Sequence, residues 1–278
     1  MPELPEVETI VRDLTPLLVG HTLKNPKLLR SDVLRKVTPR RLLAGLRGRV
    51  VRSLDRRSKH AVFLLETGLR MVIQPRMTGT LTVHDRPLSR NELTYAVLTT
   101  EIDNGTILVY RDVRRLGTIW LLDESEWRTY TDRIGPEPLD DRFDLGRFRQ
   151  QLAGTRQAIK KVLMDQKRIA GIGNIYANEV LFRAGIDPSR RTDRLRRDET
   201  NKLLKEIKHV LRQAIAARGT TFRDYRTGKG EVGTFQNVLM VYGRGGMPCL
   251  NCGTTLATTH AIDGRATTFC RQCQYSDA

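Results

Sequence analysis

The sequence predicts an α+β chain of several parts. A β-rich N-terminal domain with a leading helix comes first, then a helical domain, then a short metal-stapled hairpin. Three observations lead there. The chain has 278 residues, too many for one minimal domain, and 39% of them are hydrophobic, enough to build real cores and to exclude disorder throughout. The apolar pattern changes from short β-type runs up to residue 122 to a helical repeat beyond residue 145. All four cysteines fall within the last 30 residues.

Each element has its own signal. Val7, Ile10, Val11, Leu14, Leu17 and Leu18 recur at helical spacing and Pro5 suits a first turn, so residues 5–18 read as a helix. Short apolar runs follow at 50–51, 61–65, 69–73, 95–98, 106–110 and 118–122, separated by Gly, Pro or turn pairs, with Asn104-Gly105 a hairpin signal. Many short strands predict a sandwich or barrel. Residues 134–145 open on Ile134-Gly-Pro-Glu-Pro138 and read as a linker, leaving residues 1–133 as the first domain. Segments 145–152, 158–164, 174–184 and 200–217 then read as helices. The last carries Leu203, Leu204, Ile207, Val210, Leu211, Ala214 and Ile215 on one stripe, with Gly219 as its stop. These helices make a domain over 146–248, in which the Gly- and charge-rich stretch 220–238 reads as a mobile loop. Residues 249–278 form the final unit.

That unit is defined by its cysteines. Cys249-x-x-Cys252 and Cys270-x-x-Cys273 stand 17 residues apart, the spacing of a four-thiolate zinc site. Each pair offers two sulfurs to one ion. The Thr-rich segment between them contains Asp263-Gly264, a hairpin turn signal, so the unit reads as a β-hairpin stapled by one structural Zn2+. His260 is not needed as a ligand. No apolar run approaches the roughly 20 residues of a membrane span, and the acidic start is unlike a signal peptide, which predicts a cytosolic protein.

The charge points to the partner. The net charge is +17, with 23 Lys/Arg against 16 Asp/Glu in residues 1–133 and 25 against 15 in the rest. Both halves are basic, and a polyanion touching both, nucleic acid first, is the simplest reason. The N-terminus supplies a possible chemistry. With Met1 removed, Pro2 is a secondary amine whose pKa of about 8 leaves more neutral nucleophile than lysine at about 10.4. A neutral amine attacks a carbonyl to give an iminium ion, an electron sink for eliminations, and Glu3 beside it is the local acid/base. Glu6 and Glu8 read as acids favoured by the helix dipole.

The opening Met1-Pro-Glu-Leu-Pro-Glu-Val-Glu-Thr9 resembles the N-terminus of the bacterial formamidopyrimidine-DNA glycosylases, the Fpg/MutM branch of the Fpg/Nei family. So do Gly135-Pro-Glu-Pro-Leu139, Gly171-Ile-Gly-Asn-Ile-Tyr-Ala-Asn-Glu179, Arg183-Ala-Gly-Ile186, Gly219-Thr-Thr221, Val241-Tyr-Gly-Arg244 and the final Cys270-Arg-Gln-Cys273. The resemblance implies a β-sandwich, a helix-two-turn-helix domain and a zinc finger. It implies a bifunctional glycosylase and abasic-site lyase acting, as a monomer, on double-stranded DNA that holds oxidised purines or abasic sites. By the same resemblance Pro2 is the nucleophile at the sugar C1′, Glu3 its acid/base partner, and Lys59 the lysine that assists β,δ-elimination. Arg265 on the zinc hairpin matches an arginine acting on the phosphates flanking the lesion. Tyr242 resembles a phosphate-binding tyrosine. Asn174 starts a helix after two glycines, where its backbone and side chain suit a phosphate oxygen, and Gly171-Ile-Gly173 lacks the context of a dinucleotide site. The loop 220–238 resembles one that caps an extruded 8-oxoguanine.

The sequence departs from the family at the wedge that replaces a flipped base. Met77 is kept, but Gln74-Pro-Arg76 precedes it, and Asp112-Val-Arg-Arg-Leu-Gly117 carries Leu116 where the family has an aromatic residue. Arg114 remains to read the orphaned partner base. A Lys/His-rich phosphate contact is replaced by Arg90-Asn-Glu-Leu-Thr94. These changes bear on lesion and partner-base selectivity and leave the catalytic terminus intact. The resemblance leaves two rivals: an oxidised-pyrimidine glycosylase of the endonuclease VIII type on the same fold, against which the Leu4–Thr9 start and the 220–238 loop argue, and a zinc-finger protein that only binds damaged DNA, against which Pro2, Glu3 and Lys59 argue.

Overall fold

The computed structural model describes residues 2–274. Met1 and the last four residues of the predicted finger lie outside them. The described chain forms two compact units.

The first comprises residues up to 133 together with 215–236. Helix α1 (Leu4–Leu18) starts at an N-cap Glu3 whose side chain accepts from the first-turn backbone while Glu6 reaches back to the Glu3 amide. Its stripe of Val7, Ile10, Val11, Leu14 and Leu18 lies in the core. The strands are β1 (Thr22–Leu28), β2 (Arg49–Arg57), β3 (His60–Leu65), β4 (Arg70–Gln74), β5 (Gly79–His84), β6 (Ala96–Ile102), β7 (Ile107–Asp112) and β8 (Thr118–Leu122). Three helices lie between or after them: α2 (Pro39–Leu46), α3 (Arg90–Thr94) and α4 (Glu124–Thr131).

The expected sandwich takes a particular form. All eight strands join one antiparallel sheet in the order β5-β7-β6-β1-β2-β3-β4-β8. Strand β2 is the shared member. Arg49 and Val50 at its start pair with β1, while Val51 to Arg57 pair with β3 across a register shift between Val51 and Ser53. Side chains from both halves, such as Leu23, Leu81 and Leu98 from one and Phe63, Met71 and Ile119 from the other, pack into one core with α1. Strand β3 is buried along nearly its whole length because Val62 also meets Val72, Leu122, Trp127 and Tyr130 on its far side. That double cover explains the unbroken apolar run at 61–65. Helices α2 and α3 were not expected; both are short and mostly exposed, so neither carries a long apolar stripe.

The second unit holds residues 134–214 and 237 onward. Its helices are α5 (Leu145–Leu152), α6 (Ile159–Met164), α7 (Asn174–Ala184) and the start of α8 (Arg197–Ala216), close to the predicted spans. The stretch expected to be a linker is packed instead: Phe143 is buried, the Gly135 amide donates to the Gln166 carbonyl, and Gly135 lies too close to the Arg168 backbone to admit a Cβ. The hairpin of β9 (Ala257–Thr259) and β10 (Thr267–Phe269) turns through Gly264 at φ 77°. It clusters with these helices rather than standing apart.

A buried charge fastens it there. Lys160 on α6 has no exposed surface, and its Nζ donates to Thr267 Oγ1 at 2.7 Å and lies 3.3 Å from Asp263 Oδ1. Removing one partner of such a pair strands the other. Asp263→Ala is therefore expected to destabilise this unit by about 3 kcal/mol, measured by urea unfolding. Replacing both, Lys160→Met with Asp263→Leu, is expected to cost less than the single change.

Candidate functional site

The N-terminal turn is closed in. Pro2 is buried, and Glu3 is 1% exposed. The Glu3 amide donates to Glu6 Oε2 at 2.8 Å, and the other Glu6 oxygen accepts the Thr220 amide at 2.8 Å. Glu6, read from sequence as a dipole acid, is thus a buried tie between the chain start and the 220–238 loop. The Glu-x-x-Glu spacing of the capping box was the available signal.

That loop is more firmly held than its composition suggested. Tyr225 is buried, and its hydroxyl reaches the Arg218 carbonyl at 3.0 Å and the Glu6 carbonyl at 3.3 Å. Burial, then the charge of Glu6, push the Tyr225 pKa far up, so it stays a donor. Arg218 Nη2 pairs with buried Asp13 at 2.7 Å and with Glu231 at 2.9 Å. Gly228 lies against the Asp13 side chain and the Ile10 carbonyl, where a Cβ would collide. Phe222, Arg223, Asp224 and residues 229–232 remain exposed. The loop therefore clusters with the first unit, not with the helices it was assigned to. A cavity of about 310 Å³ opens beside it, lined by Thr78, Thr80, Thr82, Arg111, Arg223 and Arg226 among others.

Lys59 sits in the tight turn between β2 and β3 and is only 8% exposed. Arg56, just before the turn, pairs with Glu8 of α1 at 2.8 Å. Burial pushes the Glu8 carboxyl up, but the hydrogen bonds and charges of Arg56 and Arg12 outweigh it, leaving its pKa below the usual carboxylate range.

Met77, Arg114 and Leu116 come together on two neighbouring loops. Met77 is 43% and Leu116 38% exposed, and Arg114 Nη1 lies 3.5 Å from the Met77 sulfur. One buried carboxylate organises both loops. Asp112 accepts from the Thr78 hydroxyl, from the Gly117 amide at 2.8 Å and from the Tyr110 hydroxyl at 3.3 Å, while Thr78 Oγ1 accepts the Arg114 amide at 2.9 Å. Burial, with the Asp112 charge added, keeps Tyr110 protonated. Gly117 admits no side chain, because a Cβ would strike the Tyr110 hydroxyl and the Gln74 carbonyl. Arg76, in the departure from the family pattern, takes φ 51°, and its Nε lies 3.3 Å from Gln74 Oε1. The motif Asp112–Gly117 singles out Arg114 and Leu116 in the sequence but gives no sign that Asp112 is the residue that holds the two loops.

The remaining candidates lie in the second unit. The Asn174 side-chain amide donates to the Ala266 carbonyl at 3.1 Å, which uses one of its two N–H groups for the hairpin. Asn178 Oδ1 accepts the Thr268 amide at 2.8 Å. Glu179, fully buried, accepts the amides of Met240, Val241 and Tyr242, each at 2.9 Å, and so fixes the backbone that carries Tyr242. Arg265 is exposed at the hairpin turn with its amide on Asp263 Oδ1 at 3.1 Å. The four cysteine sulfurs lie within 4.8 Å of one another and none is in a disulfide. Sγ separations of 3.5 Å for Cys252–Cys270 and 3.9 Å for Cys249–Cys273 suit four thiolates around one metal ion.

The chain is similar to known proteins over its whole length. The formamidopyrimidine-DNA glycosylase N-terminal domain matches residues 1–119, and the formamidopyrimidine-DNA glycosylase H2TH domain matches 134–226. A formamidopyrimidine-DNA glycosylase of Desulfitobacterium hafniense is 40% identical over 276 residues, 99% of this chain and 100% of that one. A Lactococcus lactis Fpg variant solved with DNA containing Fapy-dG superposes with a TM-score of 0.90 at 32% identity, covering 99% and 100% of the two chains. The same Fpg with DNA containing an abasic site gives 0.89 at 32% identity and the same coverage. No described helix is long and apolar enough to cross a membrane.

The cysteine geometry has a direct check. Purified protein is expected to carry about one tightly held metal ion per chain, and Cys252→Ser to lose it, as read by elemental analysis after gel filtration.

Proposed function

This chain belongs to the formamidopyrimidine-DNA glycosylase family, and from that premise we propose how its own residues serve the reaction. It is a DNA glycosylase of oxidised-base repair with abasic-site lyase activity, and its partner is DNA carrying such lesions. The bases it removes are oxidised purines, formamidopyrimidines and 8-oxoguanine. The observation that carries the reading is the Glu6 tie, which holds the amine-bearing chain start and the capping loop to one carboxylate.

With Met1 removed, the Pro2 nitrogen attacks C1′ of the damaged nucleotide. The N–C1′ bond forms, the glycosidic bond breaks, and the base leaves with a proton. Ring opening gives an iminium ion on Pro2, which accepts the electron pair when a C2′ proton is lost and the 3′ phosphate departs. A second elimination releases the 5′ phosphate. Glu3, held at the N-cap beside Pro2, handles protons at the sugar. Lys59, on its buried turn, steadies the phosphate and assists both eliminations. The extruded base enters the cavity under residues 223–226, and Met77 and Leu116 fill the gap it leaves while Arg114 meets the orphaned partner. Arg265, Asn174 and Tyr242 serve the DNA backbone, Asn174 through its backbone N–H at the helix start and the second N–H of its side-chain amide. The metal of the hairpin is zinc and structural, since four thiolates leave it no open position. Reduced cysteines held for a metal also suit the cytoplasm.

Two results test this. Pro2→Gly is expected to weaken borohydride trapping of the covalent DNA adduct, and an N-terminal tag to abolish it. A tagged protein with full lyase activity would assign the attack to a lysine. Selectivity for the partner base is expected to be flatter than an aromatic wedge would give. Stacking on a base is worth about 1–3 kcal/mol, and Leu116 supplies less of it, so the orphaned base tilts against Arg114. Single-turnover excision of 8-oxoguanine opposite C, A, G and T should therefore give a shallow profile that Leu116→Phe sharpens. A parent protein already strongly selective for C, and unchanged by the substitution, would overturn the idea.

A further inference from the structure

The turn that carries Lys59 is strained and is held from both sides. Ser58 adopts φ 55°, in the left-handed region, and is 1% exposed. A non-glycine residue keeps that conformation only where its surroundings fix it. The first hold comes from α1. Glu8 Oε2 accepts from Arg56 Nε at 2.8 Å, and Arg56 Nη1 donates to the Ser58 carbonyl at 3.0 Å. Arg56 is 10% exposed along its side chain, and the second Glu8 oxygen is taken by Arg12 at 2.8 Å. The guanidinium therefore spans from a fixed carboxylate to a fixed carbonyl.

The second hold comes from α4. Tyr130 packs with Trp127 and Trp120, and burial pushes its hydroxyl up to about 12. It stays protonated and meets His60 Nε2 at 2.9 Å. With Nε2 accepting, His60 Nδ1 carries the proton and donates to the Arg57 carbonyl at 3.0 Å. The Arg57 and Ser58 carbonyls belong to the two successive peptide planes that lead into Lys59. Fixing both planes fixes the direction in which the lysine leaves the backbone.

We propose that Glu8–Arg56 and Tyr130–His60 are positioning residues for Lys59, each acting through one of these carbonyls. The proposal rests on the reading of Lys59 as the lysine that assists elimination. It follows that loosening either hold slows the elimination while sparing the earlier attack by Pro2, because only the lysine is displaced. A misplacement on the order of 1 Å can cost up to about a hundredfold in rate.

The test uses abasic-site DNA under single-turnover conditions, with strand scission and the borohydride-trapped adduct measured in parallel. Arg56→Ala releases one hold. Tyr130→Phe releases the other by removing a single oxygen, a change that leaves the aromatic packing in place. Each is made alone and together with Lys59→Ala. Scission is expected to slow about tenfold or more in each single variant, with the trapped adduct retained, and neither change is expected to slow scission further once Lys59 is alanine. Equal losses of adduct and scission, no slowing at all, or undiminished extra slowing in the Lys59→Ala background would each overturn the proposal. If Lys59→Ala alone cuts at the parental rate, the reading of Lys59 has failed instead, and the positioning role goes with it.

Discussion

Much of the first unit is arranged around the buried Glu6 carboxylate. One oxygen holds the Glu3 amide and the other the Thr220 amide, both at 2.8 Å. A carboxylate out of water is tolerated only where donors replace the lost solvent. The backbone must therefore bring the chain start and the Gly219–Thr220 corner to the same spot. Gly219 takes φ 84° against the Glu6 side chain, where a larger residue would be both strained and crowded. The same constraint aligns Tyr225 on α1, whose hydroxyl then finds the Glu6 carbonyl. The chain start and the corner that opens the 220–238 loop are held relative to one another by a single side chain.

The device recurs. Asp112 gathers the Thr78, Tyr110 and Gly117 donors and so sets two loops at once, and Glu179 gathers three consecutive amides beneath Tyr242. In each case a buried acid accepts hydrogen bonds from separate backbone amides or hydroxyls and so fixes the segments that carry them. Exposed residues such as Met77, Arg114 and Leu116 can then vary in chemistry without loss of position. This fits a chain that departs from its family at Leu116 and Arg76 yet keeps the supporting Asp112.

What the sequence made legible divides along physical lines. Helix α1 and helices α5 to α8 were readable because apolar periodicity and cap residues are local signals. The metal site was readable because four thiolates need fixed spacing. The start of the chain, Lys59, Met77 and Arg114 could be singled out only through family motifs, since composition and spacing give them no distinct signal. Long-range pairing was not. Nothing in residues 49–57 announces that β2 serves two halves of a sheet, and the glycines of 219–233 looked like freedom when Gly228 is there to let the loop approach α1. Asn174 reads as a phosphate contact from its place at a helix start, and nothing local announces that one of its side-chain N–H groups meets the carbonyl of Ala266, 92 positions away. Burial decides such partners, and burial is a property of the fold.

The chain leaves its first unit at residue 133 and returns to it only at residue 215. This has a consequence during synthesis. An emerging N-terminal segment can form its sheet and core, and Glu6 can already hold the Glu3 amide, but the Arg218 and Thr220 donors to Asp13 and Glu6 are made only later. At about 5–20 residues per second that wait lasts roughly 5–20 s. Asp13 and one Glu6 oxygen lack these donors over that interval, so the start of the newborn chain is not tied to the 218–220 corner before that corner has left the ribosome.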